Sequence, residues 1–525
     1  MSASVLTAPN VSAPNYVTLI KNANIGAAIV SPLEQADIIS ENTGRKVFLK
    51  LESSQPVFSF KLRGAYNKMA ALNEGERLCG VVTASAGNHA QGVSLAAKTL
   101  EINATIVMPV TTPEVKVSAV RRLNHGVNVV LHGNAFPDAL KHAQKLQTEQ
   151  GMTFVHPYDD PLVIAGQGTI AREIFQQYSG EIEAIFVPVG GGGLISGIAA
   201  WTKHYHPNVK IIGVEPTDSN CMQQALADGS RVTLNRVGIF ADGVAVAQVG
   251  KEPFRLAQKY VDEVICVNDD QICAAAVEIF NDKRVMPEPA GALALAGLKN
   301  YAETHIKNNG ALIAIVSGAN VDHERVRHMM ERAAIAQKRE MLLTVALPEK
   351  PGSLKKLCEH LGNRSITEFN YRHADDNNAH VLIGVRVQNF EQDSQNLLTH
   401  LRDEGYTTQD ITNNELAREH VRHMVGGLPH RPFDEKLYSF EFSERPGALT
   451  EFLKEMPSNF DITLFHYRSH GAARGRVLMG FTAPTEQQNN LKLFAENSLY
   501  NGKNETHNPV YTAFLQHAKS ANTLG

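Results

Sequence analysis

Between about Lys46 and Asn320, short runs rich in valine and isoleucine alternate with stretches of helix length. GVVTA (80–84) precedes a helical pattern near Asn88 to Leu100, ATIVMP (104–109) one that starts from Pro113, and NVVLHG (128–133) one that starts from Ala135. AIFVPVG, KIIGVEP and ALIAIVSG continue the rhythm. Parallel strands need a crossover between them, which a helix supplies, and strands covered on both faces read as unbroken apolar runs. The pattern therefore predicts an α/β domain with a parallel sheet covered by helices on both faces. At 525 residues the chain exceeds what one hydrophobic core serves, so further domains are expected.

The vocabulary changes after a polar, helical stretch at Arg332 to Glu340, where a linker is expected. Beyond it two segments resemble one another: LTVALPEKPGSLKKLCEHL, with FNYRH and VLIGVRV following, and YSFEFSERPGALTEFLKEM, with FHYRSH and VLMGFTA following. Pro351-Gly352 and Pro446-Gly447 lie 95 positions apart, Tyr371 and Tyr467 96 apart, which marks an internal duplication. Each copy reads strand, Pro-Gly turn, helix, strand, strand, and its alternating L-T-V-A-L or F-E-F suits a half-buried antiparallel sheet. The expected domains are 1–335, 341–416 and 436–515, the last two being small α+β modules.

A formal net charge of −4, with both signs interspersed, offers no electrostatic footprint for nucleic acid or an anionic membrane. No apolar run reaches the roughly 18 residues of a spanning helix, and MSASVLTAPNVSAPN has no signal-peptide core or arginine-rich pattern. Five scattered cysteines without a C-x-x-C pair (Cys79, Cys221, Cys266, Cys273, Cys358) suggest a reducing cytoplasm and small buried apolar residues. A small polar or charged metabolite is the expected partner.

Four features fall where ligands bind in open α/β sheets, at strand ends and helix starts. Lys61, in SFKLRGAY (59–66), stands in the first turn of a helix, where the dipole disfavours an ammonium. Ser85-Ala86-Gly87-Asn88-His89 offers backbone N–H groups, a hydroxyl and an amide to a carboxylate or a phenolate, although an ordinary N-cap cluster reads the same way. Gly190-Gly191-Gly192-Gly193-Leu194 can bring its N–H donors close to a phosphate. It lacks the lysine of a Walker loop and the spacing of a dinucleotide fingerprint, and a tight turn is the alternative. Ser317, in SGAN, is a neutral donor and acceptor that says little by itself.

One ligand with a phosphate, a phenolic oxygen and a carbonyl that accepts an amine satisfies all four: pyridoxal 5'-phosphate. Lys61 would form the Schiff base, Gly190 to Leu194 would hold the phosphate, Asn88 would meet the ring 3-hydroxyl and Ser317 the ring nitrogen. The helix position then favours an uncharged, nucleophilic amine.

SFKLRGAY, TASAGNHAQG, PVGGGGL, EPAGA and SGAN, in that order, closely resemble the threonine deaminases (threonine dehydratases) of the tryptophan-synthase-β-like pyridoxal enzymes. The resemblance spans nearly the whole chain and makes the duplicated tail a pair of ACT-like regulatory domains. It implies a parallel-sheet catalytic domain that converts L-threonine, with L-serine as a second candidate, to 2-oxobutanoate and ammonia at the committed step of isoleucine synthesis. Lys61 becomes both anchor and general base, the cofactor phosphate assists the leaving hydroxyl, and Ser85, Asn88 and His89 hold the substrate carboxylate. Isoleucine as inhibitor, valine as opposing activator, a role for Tyr371 and Tyr467 in effector binding, and a homotetramer follow by the same resemblance. Core tyrosines read nearly as well for both positions.

Ser317 in place of a carboxylate leaves the ring nitrogen largely neutral, which favours β-elimination over transamination. Relatives that racemise serine carry a second serine where this chain has Ala86, so efficient racemisation is not expected. Their divalent metal is not expected either: Glu215 is present, but Cys221 stands where they have an aspartate. His323 and His328, five apart, miss one helical face and read as solvated. Arg63 and Tyr66 read as ordinary helix residues. Two other readings compete: a catabolic serine/threonine dehydratase, which usually lacks the double tail, and an amino-acid sensor on a retained catalytic scaffold, which the intact Lys61, Asn88, glycine loop and Ser317 argue against.

Overall fold

A computed structural model of the chain describes residues 14–305, 309–348, 356–357, 360–361, 364, 366–373, 378–421, 435–443, 461–468, 474–482, 488–496 and 500–515. It divides into two compact units, Met1–Val321 and Asp322–Gly525. The helix His323–Ala336, which the sequence reading grouped with the first domain, opens the second unit and runs through most of the expected linker.

The alternation of strands and helices is observed as read, but it builds two sheets. The larger has the order Leu33–Gln35, Val47–Leu51, Ala311–Val316, Ile182–Pro188, Lys210–Pro216, Glu263–Val267. Its pairs are parallel except at the edge, where Leu33–Gln35 runs antiparallel to Val47–Leu51. The smaller sheet is parallel throughout, in the order Asn128–Leu131, Ala104–Met108, Val81–Ala84, Thr153–Phe154. Central strands such as Ala311–Val316 are buried at every position, which is why they carry no polar alternation.

Helix boundaries follow local chemistry. Asp160 caps Pro161–Gln177 by accepting from the N–H groups of Leu162 and Val163, with proline at the first helical position. Asn268 and Gln271 form a reciprocal capping box at the start of Asp269–Lys283. Each sheet has its own core: Ile164, Ile185, Ile198 and Ile313 pack in the large one, and Leu62, Ala90, Val93 and Ile106 in the small one.

In the second unit the two copies share one topology. Strands Ile366–His373, Asn378–Arg386, Glu340–Pro348 and Thr407–Asp410 form one antiparallel sheet, and Asp461–Arg468, Arg474–Thr482, Glu435–Ser443 and Lys503–Asn504 form the other in the same order. Tyr371 pairs with Val381, and Tyr467 with Val477, at matching register positions. Each copy also holds a helix and a fourth strand beyond the expected pattern: Phe390–Asp403 with Thr407–Asp410, and Gln488–Glu496 with Lys503–Asn504. Both Pro-Gly pairs, and Cys358, lie outside the described residues.

The cysteines do not all behave as small core residues. Cys221 and Cys273 are buried and Cys266 half-buried, but Cys79 is exposed at the end of the short helix Glu74–Cys79. His323 is exposed and His328 half-buried. Among the described residues no helix is long and apolar enough to cross a membrane.

Candidate active site

Strand ends from both sheets converge in the first unit. Ser85 follows Val81–Ala84 of the small sheet, whereas Gly190 to Gly193 follow Ile182–Pro188 and Ser317 follows Ala311–Val316 of the large one. The segment before Lys61 is stitched to the Ser317 segment by its backbone. Phe60 N–H donates to Ser317 O (3.1 Å), and Ala319 N–H donates to Phe58 O (2.9 Å). Phe58 takes a φ of 55°, a left-handed conformation uncommon for an aromatic residue, as the chain turns into this stitch.

Lys61 is the first residue of the helix Lys61–Ala70, and no side-chain cap precedes it. Its Nζ donates to Pro157 O (3.0 Å). Burial pushes the ammonium down to about 8 from an ordinary 10.5, against an opposing effect from the Glu288 carboxyl. The sequence argument for an amine that is easily neutral is thus met chiefly by desolvation, with the helix N-terminus acting in the same sense. At pH 7.5 a group with that value is roughly one-quarter neutral, against about one part in a thousand for an ordinary lysine. Covalent uptake of pyridoxal phosphate by the apoprotein, followed by its visible absorbance, is therefore expected to accelerate with pH up to a midpoint near 8. A midpoint above 10 contradicts the burial argument.

Pro157 belongs to the loop His156-Pro157-Tyr158-Asp159-Asp160, which sequence reading did not single out. His156 Nδ1 accepts from the N–H groups of Tyr158 (3.2 Å) and Asp159 (2.8 Å), so that nitrogen is unprotonated. Asp159 accepts from the N–H groups of Lys251 and Glu252 (2.8 and 3.0 Å). One loop thereby fixes the lysine, two helix starts and the glycine turn. A Cβ at Gly191 would meet Tyr158 Cγ at 2.2 Å, and one at Gly193 would meet Tyr158 O at 2.8 Å. The glycines have a packing reason of their own, beyond any ligand. Gly192, at φ 90°, turns the chain into the helix Gly193–Tyr205.

Asn88 opens the helix Asn88–Leu100, with Gly87 at its N-cap and no side-chain cap. Ser85 Oγ accepts from Gly87 N–H (3.3 Å). Asn88 Nδ2 donates to Glu288 Oε1 (2.6 Å), and Asn88 Oδ1 accepts from Asn320 Nδ2 (2.7 Å). His89 Nε2 is bonded to Val155 O (2.9 Å), and since a carbonyl only accepts, that nitrogen carries the proton. The ring is held neutral: burial pushes its pKa down to about 3, and Lys61 acts in the same direction. Its Nδ1 is buried without a protein partner. The Ser317 hydroxyl donates to Ala290 O (3.2 Å), so an unprotonated ring nitrogen would compete with that carbonyl for a single hydrogen.

One sequence reading of this region changes. Arg63 is not an ordinary helix residue. Its wholly buried guanidinium bonds Glu52 (2.8 Å) and Glu173 (2.5 Å), and Glu173 also accepts from buried Lys50 (2.7 Å). Glu215 is committed as a helix cap, accepting from Met222 and Gln223 N–H at 2.9 and 2.8 Å. Burial pushes its carboxyl up to about 8 in spite of these bonds. Among the described residues no group of three or more His, Cys, Asp or Glu side chains could hold a metal ion.

Comparison with known proteins decides the family. A family model for the pyridoxal-phosphate-dependent enzymes matches residues 26–318, and one for the C-terminal regulatory domain of threonine dehydratase matches residues 331–421 and 428–515. The biosynthetic L-threonine dehydratase of Burkholderia multivorans is 47% identical over 503 residues, covering 95% of this chain and 99% of that protein. The chain belongs to the threonine dehydratase family. The mitochondrial threonine dehydratase of Saccharomyces cerevisiae is 44% identical over 96% of this chain and 90% of its own length. Among solved structures, the processed form of threonine deaminase isoform 2 from Solanum lycopersicum matches with a TM-score of 0.59 and 47% identity, covering 61% of this chain and 92% of that one. Serine racemase from Dictyostelium discoideum matches with a TM-score of 0.54 and 31% identity, covering 58% of this chain and 98% of that one. The chain thus joins a domain of the pyridoxal-phosphate-dependent enzymes to a regulatory tail whose two matched segments are the duplication read from the sequence.

The residues present fit the cofactor of this family. Lys61 offers a half-buried amine of lowered basicity, Asn88 Nδ2 keeps a second hydrogen beyond the one given to Glu288, and the glycine turn opens a helix without a side-chain cap.

Proposed function

We propose that the chain deaminates L-threonine to 2-oxobutanoate and ammonia through pyridoxal phosphate held on Lys61, as the regulated, isoleucine-sensitive entry to isoleucine synthesis. The carrying observation is the half-buried Lys61 amine, held by Pro157 O, with Asn88 hydrogen-bonded to Glu288, in a chain that aligns along nearly its whole length with a biosynthetic threonine dehydratase. When bound, pyridoxal phosphate supplies the electron sink that makes the α-hydrogen of an amino acid acidic.

Lys61, neutral once released to act as a base, takes the α-proton onto Nζ. The Cβ–O bond then breaks and the hydroxyl leaves as water after gaining a proton; Cβ of the resulting enamine takes up a proton from solvent, and addition of water at Cα releases ammonia, so the net change is threonine to 2-oxobutanoate plus ammonia. Gly190 to Leu194 would receive the phosphate on their N–H groups, Asn88 the phenolic oxygen, and Ser317 the ring nitrogen. Ser85 and the uncapped first turn of Asn88–Leu100 would hold the substrate carboxylate. His89 would serve there through its backbone N–H, since its Nε2 hydrogen is spent on Val155 O. Ala86, in that loop, has no group to carry a proton, which supports elimination over racemisation.

The tail supports the biosynthetic reading over a catabolic one, because both copies match the threonine dehydratase regulatory domain. In this reading isoleucine inhibits and valine opposes it, with Tyr371 and Tyr467, at equivalent strand positions, near the effector sites. A homotetramer in the cytoplasm completes it. The thiols of Cys79, Cys221 and Cys266 suit a reducing compartment.

The test compares 2-oxo-acid release from L-threonine and L-serine, with and without isoleucine and valine. Threonine turnover suppressed by isoleucine and restored by valine is expected. Turnover indifferent to isoleucine sinks the regulated assignment.

A further inference from the structure

Glu288 and Asn320 have no role in the reading so far, yet both meet Asn88. Glu288 is the N-cap of the helix Pro289–Thr304, but its side chain makes no cap hydrogen bond. The carboxyl turns instead into the protein, 4% exposed, where Oε1 accepts from Asn88 Nδ2 at 2.6 Å. It is closely walled: a Cβ on Gly318 would lie 2.4 Å from Oε1, and one on Gly243 3.4 Å. On the far side of Asn88, Asn320 Nδ2 donates to Val57 O (2.8 Å) and to Asn88 Oδ1 (2.7 Å).

The direction of every bond in this chain is dictated from one end. A backbone carbonyl only accepts, so Val57 O requires Asn320 to present its nitrogen. The second hydrogen of that nitrogen requires Asn88 to present its oxygen. Asn88 Nδ2 must then face Glu288, whose Oε1 accepts whether the carboxyl is ionised or neutral. One hydrogen of Asn88 Nδ2 is left over. A carboxamide alone can flip between donor and acceptor, and a flipped Asn88 would set an oxygen against the phenolic oxygen it is meant to stabilise.

We infer that Glu288 and Asn320 are positioning residues that fix the polarity of the Asn88 carboxamide, so that it always offers an N–H to the cofactor's phenolic oxygen. The inference rests on the proposed contact between Asn88 and that oxygen. A paired polarity lock of this kind acts on cofactor affinity and on the electronic state of the bound ring, and acts much less on the backbone N–H groups proposed to hold the substrate carboxylate.

The test uses the full-length holoenzyme and four variants: Glu288→Leu, Glu288→Gln, Asn320→Asp and Asn88→Ala. Readouts are the pyridoxal phosphate dissociation constant, the pH midpoint of the visible band of the bound cofactor, and kcat and KM for L-threonine, with circular dichroism to confirm folding. Glu288→Leu removes the acceptor and Asn320→Asp removes both donors. Each is expected to weaken cofactor binding roughly tenfold or more and to shift the pH midpoint, with kcat falling while KM changes by about twofold or less. Glu288→Gln, which keeps an acceptor oxygen of the same reach, is expected to stay within about threefold of wild type in cofactor affinity. If Glu288→Leu or Asn320→Asp fails to fold, Glu288→Gln against Asn88→Ala carries the comparison: an equal loss in both overturns the inference. Wild-type affinity and midpoint in folded Glu288→Leu and Asn320→Asp beside an impaired Asn88→Ala also overturn it. A wild-type Asn88→Ala overturns instead the assigned contact of Asn88 on which it rests.

Discussion

Replacing Lys61 by alanine is expected to lower threonine turnover by roughly 10³-fold or more and to abolish the visible band of bound pyridoxal phosphate. The size follows from two losses at one atom. The covalent anchor disappears, and so does the base that receives the α-proton. Among the described residues the buried lysine, Lys50, is not placed to stand in for it, being bonded to Glu173, to Ser31 O and to Gln177 Oε1. The variant should remain folded, because the helix Lys61–Ala70 is held through buried Leu62, Ala65, Tyr66 and Met69, none of which the change touches. Steady-state 2-oxobutanoate release and an absorbance spectrum of the dialysed protein check both parts. A variant within tenfold of wild type removes Lys61 from the mechanism.

Arg63→Leu is expected to be the most destabilising single change near the site, by about 3–5 kcal/mol, without altering any group that meets the cofactor. The guanidinium is the hub of a buried cluster. It bonds Glu52, Glu173 and Thr169 Oγ1 (3.1 Å) away from water, and also Ile29 O (3.2 Å) of a partly exposed residue. Leucine fills much of the volume but leaves two buried carboxylates, of which Glu173 keeps its ion pair with Lys50. Unfolding by urea gives the difference directly, and a loss below about 1 kcal/mol shows that the cluster relaxes or hydrates.

The same cluster has a pH signature. Burial raises the Glu52 carboxyl, but the Arg63 guanidinium outweighs it and holds the group below its ordinary 4.5. A depressed carboxylate contributes stability in full above its unfolded value and loses it as pH falls through the folded one. Acid unfolding of the wild type should therefore gain from this pair above about pH 4.5, and the gain should be smaller in Arg63→Leu.

Much of this site could be read from residues that are close in sequence. A lysine at a helix start, an S-x-x-N turn and four glycines each announce a local backbone environment, and their ligand chemistry converges on one molecule. The partners that tune them could not be read in this way. Glu288 reaches Asn88 from 200 positions away, and Pro157 reaches Lys61 from 96. Glu288 sits in the EPAGA stretch, where a glutamate before Pro-Ala-Gly-Ala looks like a plain N-cap. Its burial, and the diversion of its side chain from capping, exist only in three dimensions. Arg63 was obscured for the same reason, since a charged residue on a helix is a surface residue until its long-range partners are known.

The fold shows the same division. Unbroken apolar runs located six strands of the first unit but not Leu33–Gln35, Val47–Leu51, Thr153–Phe154 or Glu263–Val267; strand order is a matter of long-range pairing, and one expected sheet proved to be two. In the tail, the fourth strand TTQD lacks apolar alternation because it is a polar edge strand, so only its pairing with Leu343–Ala346 reveals it. Cys79 is exposed because the helix that ends on it, Glu74–Cys79, has no buried residue.

Lys61 Nζ is the atom on which the proposed cofactor anchoring and proton transfer both depend, and it can be probed directly. Purified protein loaded with pyridoxal phosphate is reduced with borohydride, digested, and mapped by mass spectrometry for the pyridoxyl-phosphate adduct. The account predicts the adduct on the peptide carrying Lys61, and its absence when L-threonine is supplied in excess before reduction. An adduct on any other lysine, or none on a protein that turns over threonine, contradicts it.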